Sequence, residues 1–566
     1  MATRFGDVFR ALPVKLTLEG TAKRALETAH HRVVIAGVLF AIAFCVVGLR
    51  LIDVTVLREP REPRLTHLPK LGPLELGRAD IVDRNGVLLA TSLVTASLYA
   101  NPKLVQDPAD AAVKLARALP GLNEKELAER LGGERSFVWV KRNLTPRQQF
   151  QVNRLGIPGL SFQREERRVY PHGGLSGHVV GFTDVDNRGL AGIEQSFDEK
   201  LRQSGDPLRL TLDIRLQHLL RDELARSVEE FQAQGGAGLI LDVNTGEVLA
   251  MVSLPDFDSN SPGLAPSENR FNRVTLGTYE PGSTFKIFTA AMALDYGTAT
   301  LRDGYDASKP IQVARFTITD YKGQKRWLTV PEIIMYSSNI GAVRMALDVG
   351  RERQRQFLAR VGLLKAPSIE LPEVAAPLVP NPWREINTMT IAFGHGISVS
   401  PLQLATAAAT VVNGGISRPA TIVRRLDGEM PAGERVMSPR TSEQVRALMR
   451  LVVEKGTGKA ANVPGFLVGG KTGTAEKIVH GAYKKNALVS SFVAAFPMNA
   501  PRYVLLAMLD EPHGNKATFG YATGGWVAAP MIGRLITRVA PILGVEPVDE
   551  NAPELRERLV INVAKR

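Results

Sequence analysis

The amino-acid sequence predicts an α+β protein, with one N-terminal membrane helix followed by two or three folded units that mix helices and strands. Three observations carry this. Val33 to Leu49 is a run of 17 residues without a charge. Two turn signals, Asn85-Gly86 and Asp242-Val243-Asn244-Thr245-Gly246, each lie between apolar runs of strand length. The stretch Glu280-Pro281-Gly282-Ser283-Thr284-Phe285-Lys286 runs straight into the apolar segment Ile287 to Leu294, which suits a buried helix. The 566 residues exceed one typical domain, and 44% hydrophobic with 22% charged residues is ordinary globular composition.

The net charge of +13 favours an anionic neighbourhood, such as a phospholipid surface or an acidic polymer. No basic patch is interleaved with aromatics and no Cys/His spacing fits a metal, so nucleic acid and zinc are not expected. Cys45 is the single cysteine, which excludes an intrachain disulfide.

As a helix, Val33 to Leu49 would reach roughly 26 Å, close to the thickness of a bilayer's hydrocarbon core. Leu51 and Ile52 extend it, and Arg50 can snorkel. The 32 preceding residues are long for the leading part of a cleaved signal, and the cleavage-like Ala41-Ile42-Ala43 lies inside the apolar run, so a retained anchor is expected. Residues 1–32 carry Arg4, Arg10, Lys15, Lys23, Arg24 and Arg32 against Asp7, Glu19 and Glu27, which by the positive-inside rule keeps the amino end cytoplasmic and places the rest outside.

Arg58 to Arg64, rich in proline and charge, reads as an extended stalk. Beyond it, Asn85-Gly86 signals a hairpin, Pro108 to Leu119 and Glu124 to Leu131 are helices behind Asp107 and Asn123 caps, Ser136 to Val140 is a strand, and Pro146 to Leu155 a helix. Leu216 to Ala233 is an amphipathic helix, and Ala237 to Leu241 with Glu247 to Val252 form a hairpin of largely buried strands that begins a sheet.

Pro281 and Gly282 place Ser283 at or beside a first helical turn, where Ser283 and Lys286 share one face. A lysine whose pKa is lowered by burial or by neighbouring cations can take a proton from a serine hydroxyl, which permits acyl transfer through a serine ester. Tyr336-Ser337-Ser338-Asn339 precedes another apolar run, where Ser337 or Asn339 would equally serve as a helix cap. Phe466 to Ala475 reads as a glycine-rich strand carrying Lys471 and Thr472. Gly465, Gly470, Lys471 and Thr472 also satisfy G-x-x-x-x-G-K-T, but a phosphate loop needs a strand before the first glycine and a helix after the threonine, and neither context fits.

Ser283 with Lys286, Ser337 with Asn339, and Lys471-Thr472-Gly473 together resemble the penicilloyl-serine transferase superfamily, with its motifs S-x-x-K, S-x-N and K-T-G. The apolar anchor, Arg78 to Gly86, Arg168-Val169-Tyr170-Pro171, Gly189 to Glu194, Phe393-Gly394-His395-Gly396 and Gly524-Gly525-Trp526 are similar to a class B penicillin-binding protein, nearest to the septal FtsI type. The resemblance implies a cytoplasmic segment 1–32, a transmembrane helix 33–52, a linker 53–75, an elongated pedestal of the dimerisation type 76–225, a transpeptidase domain 226–546 with an antiparallel sheet flanked by helices, and a tail 547–566 that the charges of Glu554, Arg556, Glu557 and Arg558 leave loosely ordered.

It further implies that Ser283 attacks the carbonyl between two terminal D-alanines of a peptidoglycan stem peptide, with Lys286 as base. Ser337 and Lys471 would relay a proton, Asn339 would orient the substrate amide, and Thr472, Gly473 and Thr474 would hold the terminal carboxylate. The N–H groups of Ser283 and Thr474 would form the oxyanion hole. β-Lactams would acylate Ser283, and no cofactor or metal is required. Implied partners are the membrane, peptidoglycan stem peptides on lipid-linked or nascent glycan, an FtsW-like glycosyltransferase and other divisome proteins, at an inner (cytoplasmic) membrane with the catalytic domain periplasmic or extracellular. An elongation-specific transpeptidase, a D,D-carboxypeptidase or β-lactamase, and a non-catalytic β-lactam sensor or scaffold stay open at this point.

Overall fold

The computed structural model describes residues 20–52, 77–313, 316–425, 432–479, 482–561 and 563. The expected stalk and linker, and Arg4, Arg10 and Lys15 of the amino-terminal flank, lie outside the described residues. Within the first unit, α1 (Gly20–Ile52) is one continuous helix. It begins 13 residues before the expected span, because the Ala, Leu, Lys and Glu of residues 22–27 are good helix formers that extend the backbone ladder. Thr28–Arg50 is, among the described residues, the one helical stretch long and apolar enough to cross a membrane.

The second unit, Leu76–Arg566, opens with a mixed module. Here β1 (Ile81–Val82) turns through Asn85-Gly86 into β2 (Leu88–Ala100), which pairs antiparallel with β3 (Val138–Leu144) and β4 (Leu160–Val169). Asp83 Oδ1 accepts from the Asn85 and Val87 N–H groups, closing the turn. The strand expected at 136–140 runs instead from 138 to 144, because pairing of Leu144 with Ala96 carries it further. The helices α2 (Pro108–Ala118), α3 (Glu124–Leu131) and α4 (Pro146–Asn153) start behind the Asp107, Asn123 and Thr145 side chains and bury Leu115, Leu127, Leu131 and Val152 against Leu98 and Val140. The short β5 (Leu208–Arg209) lies parallel to β1.

A buried ion cluster holds this module together. Glu194, with no exposed side-chain surface, receives the Arg78 Nε at 2.6 Å and the Arg168 Nε at 2.7 Å, while Arg78 Nη1 reaches Asp198 at 2.6 Å. Bidentate use of a buried carboxylate by two guanidinium groups offsets the desolvation of all three charges.

The second sheet has the order β8-β9-β10-β6-β7, all antiparallel, with β6 (Gly235–Asp242), β7 (Val248–Leu254), β8 (Gly469–Val479), β9 (Ala482–Phe496) and β10 (Tyr503–Asp510). Both faces are covered, so β10 reads as a continuous apolar run: Val504, Leu506 and Met508 point into one core, Leu505, Ala507 and Leu509 into the other. The second core is closed by α5 (Ile214–Glu230), which starts behind Asp213, two residues before the expected start, and by α11 (Gly524–Val539). The first is closed by α6 (Lys286–Asp295), α9 (Pro401–Val412) and α10 (Pro439–Glu454), with α7 (Val330–Tyr336) and α8 (Asn339–Val349) beside them.

Residues 547–561 are not a loose tail. Val548 N–H donates to Gly465, Glu550 takes the buried Arg450 Nη2 at 2.9 Å and the Gly465 N–H at 2.8 Å, and a helix over Pro553–Leu559 buries Leu559. The reason is electrostatic: Arg450 is nearly fully buried and needs carboxylate partners.

Candidate active site

Three elements converge at the edge of the second sheet. Gly282 at φ 56° and the 3-10 turn Gly282–Phe285 lead into α6, so Ser283 sits on the turn and Lys286 opens the helix. The turn lies against β8, the edge strand, whose outer backbone groups face it without a strand partner. Contact is close because both faces are glycine. A Cβ on Gly473 would stand 2.3 Å from Ser491 Oγ and 2.7 Å from the Pro281 carbonyl oxygen, and one on Gly282 would stand 2.5 Å from the Thr474 carbonyl oxygen.

The third element is the junction of α7 and α8. Ser337 occupies the left-handed region at φ 60°, ψ 42° and ends α7, while Ser338 caps α8 by accepting from the Gly341 N–H at 3.0 Å. The cap is thus the middle residue of the triplet, and Ser337 and Asn339 are both turned to the site. Asp320 supports this junction: its carboxylate accepts from the Asn339 and Ile340 N–H groups at 2.5 and 3.0 Å and from Ser338 Oγ at 2.7 Å.

Around the Lys286 Nζ stand Ser283 Oγ at 3.0 Å, the Ser337 carbonyl oxygen at 2.6 Å, Ser337 Oγ at 3.2 Å and Asn339 Oδ1 at 2.7 Å. Asn339 Nδ2 donates to the Thr319 carbonyl oxygen at 2.8 Å, which fixes the amide with its oxygen toward the lysine. From β8, Lys471 Nζ reaches Ser337 Oγ at 2.9 Å and Thr472 Oγ1 at 3.3 Å, and Thr472 Oγ1 bonds Thr457 Oγ1. Thr474 Oγ1 donates to the Gly473 carbonyl and accepts from the Gly524 N–H at 3.0 Å. All eight residues singled out from the sequence therefore gather here. Gly473 has no side chain to offer, and its visible part is to let strand and turn meet.

Both lysines are fully buried. Burial first, and then the nearby Lys471 cation, holds the Lys286 ammonium well below the usual lysine range, with Asp320 opposing. Burial alone brings Lys471 down to about 7. Burial, followed by the Lys286 charge, lowers His395 to about 4, so the imidazole is neutral. Just before the turn, the buried Glu280 accepts from the Gly396 N–H at 2.7 Å and from the Tyr483 hydroxyl at 3.1 Å, and burial raises its pKa.

Asp320 was not singled out from the sequence. It lies 18 residues before Ser338 in a segment with no periodicity, and no local signal marks a residue that caps a helix from outside. The strand β8 continues through Thr472 to Val479 with no helix after it, so the phosphate-loop pattern has no phosphate-loop shape.

Residues 73–206 match the model of the penicillin-binding protein dimerisation domain, and residues 236–536, more than half of the chain, match that of the penicillin binding protein transpeptidase domain. A Caulobacter vibrioides protein named probable peptidoglycan D,D-transpeptidase FtsI is 44% identical over 487 residues, 84% of this chain and 82% of its own length. The Escherichia coli K12 peptidoglycan D,D-transpeptidase FtsI is 30% identical over 548 residues, 90% of this chain and 91% of its own. Among solved structures, penicillin binding protein 3 of Mycobacterium tuberculosis complexed with ampicillin matches with a TM-score of 0.68 and 25% identity, covering 87% of this chain and 99% of that one. With a half-buried serine beside a buried lysine at the sheet edge, both domain models in order and a relative 44% identical over 82% of its own length, the chain belongs to the class B penicillin-binding proteins.

Proposed function

We propose that this chain is a membrane-anchored peptidoglycan D,D-transpeptidase whose nucleophile is Ser283, working at the division septum. The observation that carries the site assignment is the surround of Lys286 Nζ. The Ser337 carbonyl and Asn339 Oδ1 are oxygens that can only accept, so they take the two N–H bonds of a neutral amine and leave its lone pair for the Ser283 hydroxyl. A lysine kept neutral in this way is the general base.

Ser283 Oγ then attacks the carbonyl between the terminal D-alanines, as the proton passes to Lys286. Thr472 and Thr474, with the Lys471 charge, hold the terminal carboxylate, and the Ser283 and Thr474 N–H groups take the oxyanion; one such donor is worth about 3 kcal/mol. A proton returns through Lys471 and Ser337 to the departing D-alanine. An amine from a second stem peptide then receives the acyl group, and Ser283 is regenerated. Donor strands lie along the free edge of β8 as an added strand. β-Lactams offer a similar carbonyl and carboxylate and stop at the acyl-enzyme.

In this reading the amino end lies in the cytoplasm and the second unit in the periplasm, which the charges flanking α1 support. The septal reading rests on the relatives named FtsI, and with it come an FtsW-like glycosyltransferase and other divisome partners. Intact-mass measurement of the full chain with a penicillin tests the chemistry: one adduct is expected on the wild type and none on Ser283→Ala. Absence of any adduct on folded wild-type protein would refute the acyl-serine reading. A fluorescent fusion concentrated along the lateral wall instead of at the constriction would move the protein to elongation.

A further inference from the structure

Arg168-Val169-Tyr170-Pro171, which the catalytic site leaves unused, lies on a seam between the two family matches. Asn260, in the loop that follows β7, takes the Tyr170 N–H on its Oδ1 and donates its Nδ2 to the Tyr170 carbonyl oxygen, both at 2.9 Å. At this junction the ends of β3 and β4, the start of α4, the turn of residues 183–187 and the loop 259–262 enclose an open cleft of about 680 Å³. Small-molecule sites span about 300–1,000 Å³. The cleft shares no residue with the surround of Ser283.

Its lining has unmet hydrogen-bonding capacity. Arg168 and Ser259 are at most 5% exposed, yet Arg168 Nη2 and Ser259 Oγ are buried without a partner. A buried polar atom left unmet is costly, and calls for a ligand or water that completes it. Three side-chain amides of the lining are each held by one end. Asn143 Oδ1 accepts from Thr95, Gln148 Oε1 accepts from the Thr145 N–H, and Asn187 Nδ2 donates to the Glu166 carbonyl oxygen. Among the described residues, Asn143 Nδ2, Gln148 Nε2 and Asn187 Oδ1 have no bond of their own, so oriented donors and an acceptor stand ready.

The charges of the cleft cancel. Lys141, Arg142, Arg167 and Arg168 bring four positive charges to the lining, and Glu166 and Asp184 two negative ones. Glu165 and Asp186 pair with Arg142, and Glu194 with Arg168, which makes five negative charges in all. A phosphate or carboxylate ligand would gain no net attraction there. Apolar side chains are limited to Val185 and Pro262 beside the Tyr170 ring, which gives a peptide's apolar groups little to bury against.

We infer that this cleft is a carbohydrate-binding site, which takes an uncharged stretch of glycan bearing hydroxyl and acetamido groups. Sugar hydroxyls donate and accept at once, as single donors and acceptors on a polar wall require, and an acetamido carbonyl accepts from an N–H such as Arg168 Nη2. Residues 141–187 fall in the dimerisation-domain match and loop 259–262 in the transpeptidase match, so a strand held there touches both. That the glycan is the amino-sugar backbone of peptidoglycan rests on the transpeptidase reading above; its being a carbohydrate does not.

The test is calorimetric titration of the full chain in detergent with chitopentaose, a chain of N-acetylglucosamine units. Saturable binding is expected, within about twofold the same at low and high salt because the ligand is uncharged. Prior acylation by a penicillin should leave it unchanged. Ser259→Ala removes a hydroxyl that has no partner in the fold, and Gln148→Glu keeps the acceptor for Thr145 while losing the free N–H. Each should weaken binding at least about fivefold at unchanged far-ultraviolet circular dichroism. Maltopentaose, which lacks acetamido groups, should bind at least about fivefold more weakly. Absence of binding to folded wild type overturns the inference, as does an affinity that both variants leave intact. Loss of binding after penicillin treatment would put the sugar in the Ser283 cleft, a steep fall with salt would make this an anion site, and equal binding of maltopentaose would remove the acetamido requirement; each counts against the proposal. Chitopentaose binding by a wild type that penicillin does not acylate would refute the transpeptidase reading and leave the carbohydrate site standing.

Discussion

At the scale of single residues, both buried lysines tie stability to pH in the same direction, because burial lowers both pKa values. The folded chain holds Lys471 near 7 against an ordinary 10.5, so between those values the unfolded chain carries a proton that the folded chain lacks. Stability from this residue therefore rises with pH across that window, by up to about 1.4 kcal/mol per pH unit. Denaturant titrations should show the difference in unfolding free energy between Lys471→Met and the wild type moving steadily against the variant from pH 7 to pH 10. The same substitution removes the cation that helps depress Lys286, so the rising limb of the acylation rate against pH should move to higher pH. Asp320→Ala acts with the other sign. It removes the carboxylate that favours the Lys286 ammonium, and the limb should move to lower pH, with about 1 kcal/mol of stability lost from the amino end of α8. Stopped-flow acylation across pH checks both, and shifts of the same sign in the two variants would contradict the electrostatic account.

At the scale of elements, the contact between the catalytic turn and β8 depends on missing side chains. Gly473→Ala would force Ser491 or the Pro281 carbonyl aside by about an ångström, and misplacement of that size costs roughly a hundredfold in acylation rate. Penicillin acylation at unchanged far-ultraviolet circular dichroism measures it; a rate within threefold of the wild type would show that the contact yields freely. This packing explains what could be read in advance. Ser283 and Lys286 were legible because their relation is local, one face of one turn, and the hairpin because Asn85-Gly86 carries its own turn signature, although the loop it closes is longer than two residues. The strand of Lys471 was legible from its glycines, although nothing in its composition says that Gly473 yields space to Pro281. Asp320, the Glu280 contact with Tyr483 and the bridge from Lys322 to Tyr521 were not legible, since each joins segments whose proximity only the finished fold creates. The ordered stretch 547–561 was misread for a related reason: its charges look solvated until Arg450 is seen to need Glu550.

At the scale of the whole molecule, the mixed module depends on one carboxylate shared by two arginines. Arg168→Met leaves the Glu194 charge buried with half its partners, and should cost about 3–5 kcal/mol in unfolding free energy, read by chemical denaturation of the full chain. Acylation per folded molecule should change far less, because Ser283 lies outside the cluster; a loss under 1 kcal/mol would show that solvent reaches the carboxylate after substitution. The second sheet has a different dependence. Its β6 pairs with β10, Asp242 opposite Tyr503, so two neighbours in space are 503 − 242 = 261 residues apart in the chain. At a synthesis rate of about 5–20 residues per second, β6 and β7 wait roughly 13–52 s for the strand that completes them. During that interval the hairpin has an open edge that needs guarding from other chains. Ser283 already exists, but Lys471 has not been made, and the pair of lysines proposed to ready the serine is incomplete. On the proposed mechanism a nascent chain is therefore inert to antibiotic as well as to substrate, and each molecule becomes vulnerable only at the moment it becomes useful.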